Sequence, residues 1–261
     1  MEFNDKTISQ NLNTKILGQK IFFFKSIKST MDYAKKLAEK GEPEGTVVIA
    51  DYQSHGRGRF GRIWKSEPEK NILMSLILRP TIPIEKFGIL SFLTSISVAE
   101  AIEKNADVKI TTKWPNDLLI NGKKYCGILL EASITVEMGD FVIIGIGVNV
   151  NQENFPKEIQ DYATSLYIET GKIFDRTLIV QDILRLLEEN YSALKETHNF
   201  QFVIENWKKR CDMLGKKIMV IQGGKTITGK AIDVDERGFL LLEDENSNLL
   251  KLSAGDVTIV K

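Results

Sequence analysis

Cysteine is nearly missing: two in 261 residues, Cys126 and Cys211, which excludes a disulfide framework. Histidine is equally sparse, and His55 and His198 stand far apart with no paired Cys/His spacing, so no zinc-type ligand set is legible. Charge of one sign is missing too. Lys+Arg 35 balances Asp+Glu 35, which argues against a wholesale nucleic-acid coat or a polybasic membrane binder, since both need excess positive charge. Apolar runs such as 141–150 fall well short of the roughly 20 residues that span a bilayer. The N-terminus carries Glu2, Asp5 and Lys6 where a signal peptide would be basic and then apolar. No repeat or low-complexity tract is present. The expectation is a cytoplasmic globular protein whose electrostatic work is done by local clusters.

What is present reads as an ordered α+β chain. Residues 1–20 are polar and weakly patterned, a short arm with no room for a helix-turn-helix domain. Ile21–Phe24 predicts a strand, and Ser29-Thr30-Met31-Asp32 a helix start, with a hydroxyl at the N-cap and an acid three residues on. Strands are predicted over 46–50, 72–78, 108–114 and 141–150, and buried or amphipathic helices over 87–104 and 176–196. Asn121-Gly122 between apolar runs predicts a type I′ hairpin. From 213 the texture changes to five short alternating runs separated by turn clusters, which predicts a small β-barrel over 213–261.

Three segments carry chemistry. Residues 53–65 (QSHGRGRFGRIWK) hold three glycines, three arginines, a lysine and no acid. Glycines let backbone N–H groups approach an anion, and arginines add planar permanent donors. This loop suits a small phosphate or carboxylate ligand, with a solvated basic turn or an RGG-like nucleic-acid tract as the alternatives. Residues 113–117 (KWPND) precede Lys124 and Gly127; Pro115 stops ladder pairing, and Trp114 offers a flat face to a ring ligand. Gly145-Ile146-Gly147-Val148-Asn149 resembles a dinucleotide fingerprint, but Val150 stands at the third glycine position and no helix follows directly.

Together and in this order, Ser29-Thr30, the Gly-Arg-Gly-Arg-x-Gly-Arg-x-Trp run at 56–64, Lys-Trp-Pro-Asn-Asp at 113–117 with Lys124 and Gly127, and Gly-x-Gly-x-Asn at 145–149 resemble the biotin–protein ligases. The resemblance runs from about residue 21 to the C-terminus and is to the single-function form, without an N-terminal DNA-binding domain. It implies a mixed sheet flanked by helices (an SH2-like ligase core, 21–212) followed by an SH3-like barrel. It also implies ATP and biotin as substrates, with Mg²⁺ carried on the ATP phosphates and no metal site of the protein's own. The partner implied is a biotin carboxyl carrier protein or domain, with no DNA, no membrane, and a homodimer as the assembly.

Residue by residue, the resemblance implies Ser29, Thr30, Met31, Gln53, Gly56, Arg57, Gly58, Arg59, Lys124 and Gly127 around biotin. It implies Arg57, Arg59, Arg62, Trp64, Lys113, Asn116, Lys124 and Asn149 around ATP and the adenylate, and Arg59, Lys124 and Lys113 in catalysis. Met31 departs from the pattern, which has Asn after Ser-Thr. The rival within the superfamily is a lipoate–protein ligase or lipoyl transferase. Outside it stand an RNA- or phosphopeptide-binding adaptor and a biotin-responsive repressor.

Overall fold

An apolar run without alternation needs cover on both faces, and Ile72–Leu78 is buried at every position. The computed structural model, which describes residues 2–134 and 140–260, shows how that cover is supplied. Met1 and Lys261, the outer ends of the expected arm and barrel, lie outside the described residues.

In chain order the elements are α1 (Asp5–Ser9), β1 (Ile21–Phe24), α2 (Thr30–Glu39), β2 (Val47–Ala50), β3 (Gly56–Arg57), β4 (Ile63–Trp64), β5 (Ile72–Leu78), α3 (Ile89–Asn105), β6 (Thr111–Lys113), β7 (Asp117–Ile120), β8 (Lys123–Ser133), β9 (Phe141–Val148), α4 (Leu166–Thr170), α5 (Arg176–Thr197) and α6 (Phe200–Lys209). Then come β10 (Lys217–Gln222), β11 (Lys225–Val234), β12 (Leu240–Asp244), β13 (Leu249–Leu252) and β14 (Asp256–Ile259). Seven strands form one mixed sheet in the order β1-β2-β5-β9-β8-β7-β6. Only the β1–β2 pair in it is parallel. Helices α3, α5 and α6 cover one face and α2 the other. This is the predicted α+β core, and the five C-terminal strands form the predicted antiparallel β unit, in the order β13-β12-β11-β10-β14.

Local chemistry accounts for the boundaries. Ser29 Oγ accepts from the Asp32 amide at 3.3 Å, so α2 starts where its cap predicts. Asn121 and Gly122 both take left-handed backbone, φ 51° and 78°, between β7 and β8. The strand predicted over 108–114 shortens to Thr111–Lys113, because the Trp114 amide donates to Met213 Sδ (3.3 Å) and Pro115 has no N–H to give. The strand predicted over 141–150 ends at Val148; beyond it the Asn149 and Val150 amides turn to Tyr125 O and to Asn71 Oδ1.

The N-terminal segment is fastened to the core. Ile8 and Leu17 are fully buried. The Glu188 carboxylate on α5 accepts the amides of Lys15, Ile16 and Leu17 at 2.6, 2.7 and 2.8 Å, and the Gln181 amide donates to Ile8 O and Gln10 O.

Trp114 adds a structural role to the one read from the sequence. Its ring is 1% exposed, packed in the main core on one side and bordering the cavity described below on the other. Its indole N–H donates to Gly238 O of the barrel at 2.9 Å, so it pins the two units together. We expect Trp114→Ala to destabilise the protein by about 3–5 kcal/mol, the usual cost of emptying a buried indole site. Urea unfolding followed by far-UV circular dichroism measures this, and a change below about 1 kcal/mol would contradict the pin.

Candidate active site

Strand alternation builds the site. On β9, Val142, Ile144, Ile146 and Val148 enter the core under α3 and α5, whereas Phe141 and Ile143 pack with α2. The next two positions on α2's side are Gly145 and Gly147. Gly145 pairs with Ser75 of β5 and Leu129 of β8; Gly147 pairs with Leu73 and Gly127. Small residues therefore leave a trough past the N-terminus of α2, and a cavity of about 510 Å³ fills it. A cavity of that size suits a small-molecule ligand.

Its closed end is polar on one wall. The Thr30 amide and hydroxyl both donate to Gln53 Oε1, at 2.7 and 3.0 Å, and Thr30 Oγ1 lies 2.8 Å from Ser75 Oγ. Met31 forms the other wall. Further along, the Trp64 indole lies over the two glycines. A Cβ at Gly147 would stand 2.7 Å from Trp64 Cε2, and one at Gly127 2.9 Å from Cζ3, so neither position admits a side chain while Trp64 holds this place.

The segment 53–65, expected to be a loop, contains a two-strand ribbon. β3 pairs with β4 around a tight turn at Arg59–Gly61. Gly56 supports the ribbon, since a Cβ there would meet Trp64 O at 2.6 Å, and the Gly58 amide donates to Arg62 O at 2.8 Å. Three arginines leave this ribbon in three directions. Arg57 pairs with Asp32 of α2 and Glu131 of β8, at 2.8 and 2.5 Å. Arg59 donates to Asn116 Oδ1 (3.2 Å) and to Gly255 O of the barrel (3.1 Å). Arg62 pairs with Asp256. Burial lowers the Arg59 pKa from its ordinary range, but a guanidinium stays charged at any pH the fold tolerates.

Opposite the ribbon, Asp117 organises two lysines. Its carboxylate lies 2.5 Å from Lys124 Nζ and 3.7 Å from Lys113 Nζ. Lys113 also donates to Val257 O of the barrel at 3.3 Å. Lys124 Nζ stands 5.4 Å from the Trp64 ring centroid. Asn116 Nδ2 donates to Ile128 O at 2.5 Å, and Asn149 Nδ2 to Thr164 O at 3.0 Å. Two buried polar atoms on the cavity, Asn149 Oδ1 and Trp64 Nε1, have no hydrogen-bond partner in the protein. Such groups usually find one.

Of the residues singled out in the sequence, Thr30, Met31, Gln53, Arg57, Gly58, Arg59, Arg62, Trp64, Lys113, Trp114, Asn116, Lys124, Gly127 and Asn149 all line this cavity. Ser29 caps α2 and Gly56 braces the ribbon instead. Sequence reasoning assigned no role to Asp117, although it sits inside the 113–117 run, or to the glycine floor at 145 and 147. Nor did it find Gly255 and Asp256, which come from the barrel and carry no local signal. Among the described residues no group of three or more His, Cys, Asp or Glu side chains could hold a metal. No helix among them is long and apolar enough to cross a membrane.

Residues 23–149 match the family model described as Biotin/lipoate A/B protein ligase family, and residues 213–260 match Biotin protein ligase C terminal domain. The bifunctional ligase/repressor BirA of Bacillus subtilis is 38% identical over 260 residues, 99% of this chain and 79% of that protein. The biotin–[acetyl-CoA-carboxylase] ligase of Mycobacterium tuberculosis is 32% identical, covering 87% of this chain and 83% of its own. Among solved structures, the Aquifex aeolicus biotin protein ligase in complex with biotin and ATP superposes with a TM-score of 0.80 at 31% identity, over 93% of this chain and 100% of that one. Sequence, fold and the arrangement around the cavity agree, and the chain belongs to the biotin–protein ligase family.

Proposed function

We propose that the protein is an ATP-dependent biotin–protein ligase whose chemistry runs along the trough between Met31 and Asn149, with Arg59, Lys113 and Lys124 as its charged working groups. The single observation that carries this is the convergence of those three cations on one cavity that Thr30 and Gln53 also line, with Ser75 hydrogen-bonded to Thr30 behind them. In the first step a biotin carboxylate oxygen attacks the α-phosphorus of ATP. The bond to the β-phosphate oxygen breaks, and pyrophosphate leaves with its electron pair, giving biotinyl-5′-AMP. In the second, a lysine amine of a biotin carboxyl carrier domain attacks the acyl carbon. An amide forms, AMP leaves, and the amine proton goes to solvent.

The obstacle in the first step is repulsion between two anions, and fixed positive groups are the remedy. Lys124, held by Asp117, is placed to meet the developing charge at the carboxylate–phosphate junction. Lys113 and Arg59 face the nucleotide end, with Asn116 and Asn149 beside them. Thr30 and Gln53 serve the biotin ring end, and Ser29, capping α2, positions Thr30 there. Arg57 and Arg62, tied to acids on α2, β8 and the barrel, fasten the ribbon across the cavity and supply further charge to the adenylate. Trp64 shields the site from water. Magnesium arrives with the ATP phosphates.

The test is transfer itself. With ATP, Mg²⁺, a carrier domain and equal biotin and lipoate, intact-mass spectrometry is expected to show one biotinyl group on the carrier. Lipoylation in its place would support the superfamily rival. The finer reading adds a homodimer and no affinity for DNA, the latter in keeping with zero net charge. Sedimentation velocity with and without duplex DNA checks both.

A further inference from the structure

We infer that the Met31 side chain, seated on Gly145, sets the depth of the cavity's closed end and thereby selects the ring system of the acid that is activated. The inference rests on reading this cavity as the acid's site.

The geometry is specific to this pair. Met31 is 4% exposed, with one side in the cluster formed by Ala34, Phe141 and Ile143 and the other on the cavity. A Cβ added to Gly145 would lie 2.7 Å from Met31 Sδ and 3.0 Å from Cγ. The thioether thus occupies the space that a side chain at position 145 would take. Gly145 pairs with Leu129 of β8, which gives the floor an apolar edge on that side. With Thr30 and Gln53, hydrogen-bonded to each other, on one wall and Met31 and Leu129 on the other, the closed end suits a ring with one hydrogen-bonding edge and one apolar edge. Methionine fits that second edge well, because its three rotatable bonds and polarizable sulfur conform to an irregular neighbour. The same adaptability makes residue 31 the point where the depth can be altered without disturbing the sheet.

The experiment compares kcat/KM for pyrophosphate exchange with biotin and with desthiobiotin, which lacks the sulfur and so presents a smaller apolar edge. In Gly145→Ala the new methyl pushes Met31 into the cavity. Biotin is expected to lose about tenfold or more, the low end of what one methylene decides in an apolar pocket, and desthiobiotin distinctly less. Adding Met31→Ala to Gly145→Ala is expected to restore biotin, which a merely structural role for Met31 would not do. Met31→Leu, of similar volume, is expected to keep the native ratio. If Gly145→Ala does not fold, Met31→Ala alone carries the test: the sulfone of biotin, enlarged at the sulfur edge, is expected to gain relative to biotin. An unchanged biotin-to-desthiobiotin ratio in folded Gly145→Ala and the double variant would overturn the inference, as would an unchanged sulfone ratio in Met31→Ala. Exchange with neither acid by the native protein would overturn the reading of the cavity, and this inference with it.

Discussion

Replacing Lys124 by alanine is expected to lower biotin-dependent ATP–pyrophosphate exchange by about 10²–10³-fold, far more than it lowers biotin binding measured by calorimetry without ATP. The split follows from where the lysine stands. Its ammonium lies 2.5 Å from Asp117 and 5.4 Å from the Trp64 ring centroid. At the carboxylate–phosphate junction where we place it, it meets one carboxylate when the acid binds alone, but the charge of carboxylate and α-phosphate together in the transition state. Interactions stronger in the transition state than in the ground state appear in kcat rather than in binding. Asp117 holds the lysine by its partner charge, and the Lys124 amide and carbonyl are stitched to Tyr162 O and the Thr164 amide, so the backbone on which the lysine stands is fixed as well. Equal losses in binding and exchange would show that Lys124 only anchors biotin.

Arg59→Ala is expected to be as damaging in a different step, by faster escape of biotinyl-AMP. Arg59, proposed above for the nucleotide end, donates to Asn116 Oδ1 and Gly255 O and so joins ribbon, core and barrel. No acid shares a hydrogen bond with it among the described contacts, in contrast to Arg57 and Arg62. Asp256 and Asp117 act on it only from a distance, so its donors are not tied to an acid, and burial strengthens what they meet. Removing a preorganised donor of this kind costs about 2.7–4 kcal/mol, or roughly 10²–10³-fold. Release of labelled biotinyl-AMP into a trap measures it. Arg59→Lys keeps the charge but not the planar fork, and is expected to fall between native and alanine. Native-like retention in the alanine variant would remove Arg59 from the adenylate.

Both expectations depend on features legible in the sequence to different depths. The helix start at Ser29, the Asn121-Gly122 hairpin, the unbroken apolar run of β5 and the long stripe of α5 could be read locally, because each is set by neighbours a few residues apart. The clustering of the Gly-Arg segment with residues 113–127 was legible only through resemblance, since spacing alone cannot say that β3 and β8 meet. Other features depend on partners too distant for any local pattern. Helix α6 carries Phe200, Val203, Ile204 and Trp207 at helical spacing, so its stripe is locally legible although no helix is predicted there; what is not local is its anchor, Trp207 stacking on Phe92 of α3 at 4.3 Å. The arm looked loose because the acid that grips it, Glu188, lies more than 170 residues on. Gly145 and Gly147 invite a dinucleotide reading by spacing. Their actual work is to be absent side chains, and that becomes visible only when alternation shows which face they leave bare. The second role of Trp114, its hydrogen bond to the barrel, has no local signal because Gly238 lies more than 120 residues on.

The most direct measurement is exchange of labelled pyrophosphate into ATP with purified protein and Mg²⁺, run in parallel with biotin, with lipoate and with no acid. Exchange that depends on biotin alone is the expected result, because it requires the carboxylate–phosphate bond to form reversibly in this cavity. Exchange with lipoate alone, or with neither acid, would contradict it.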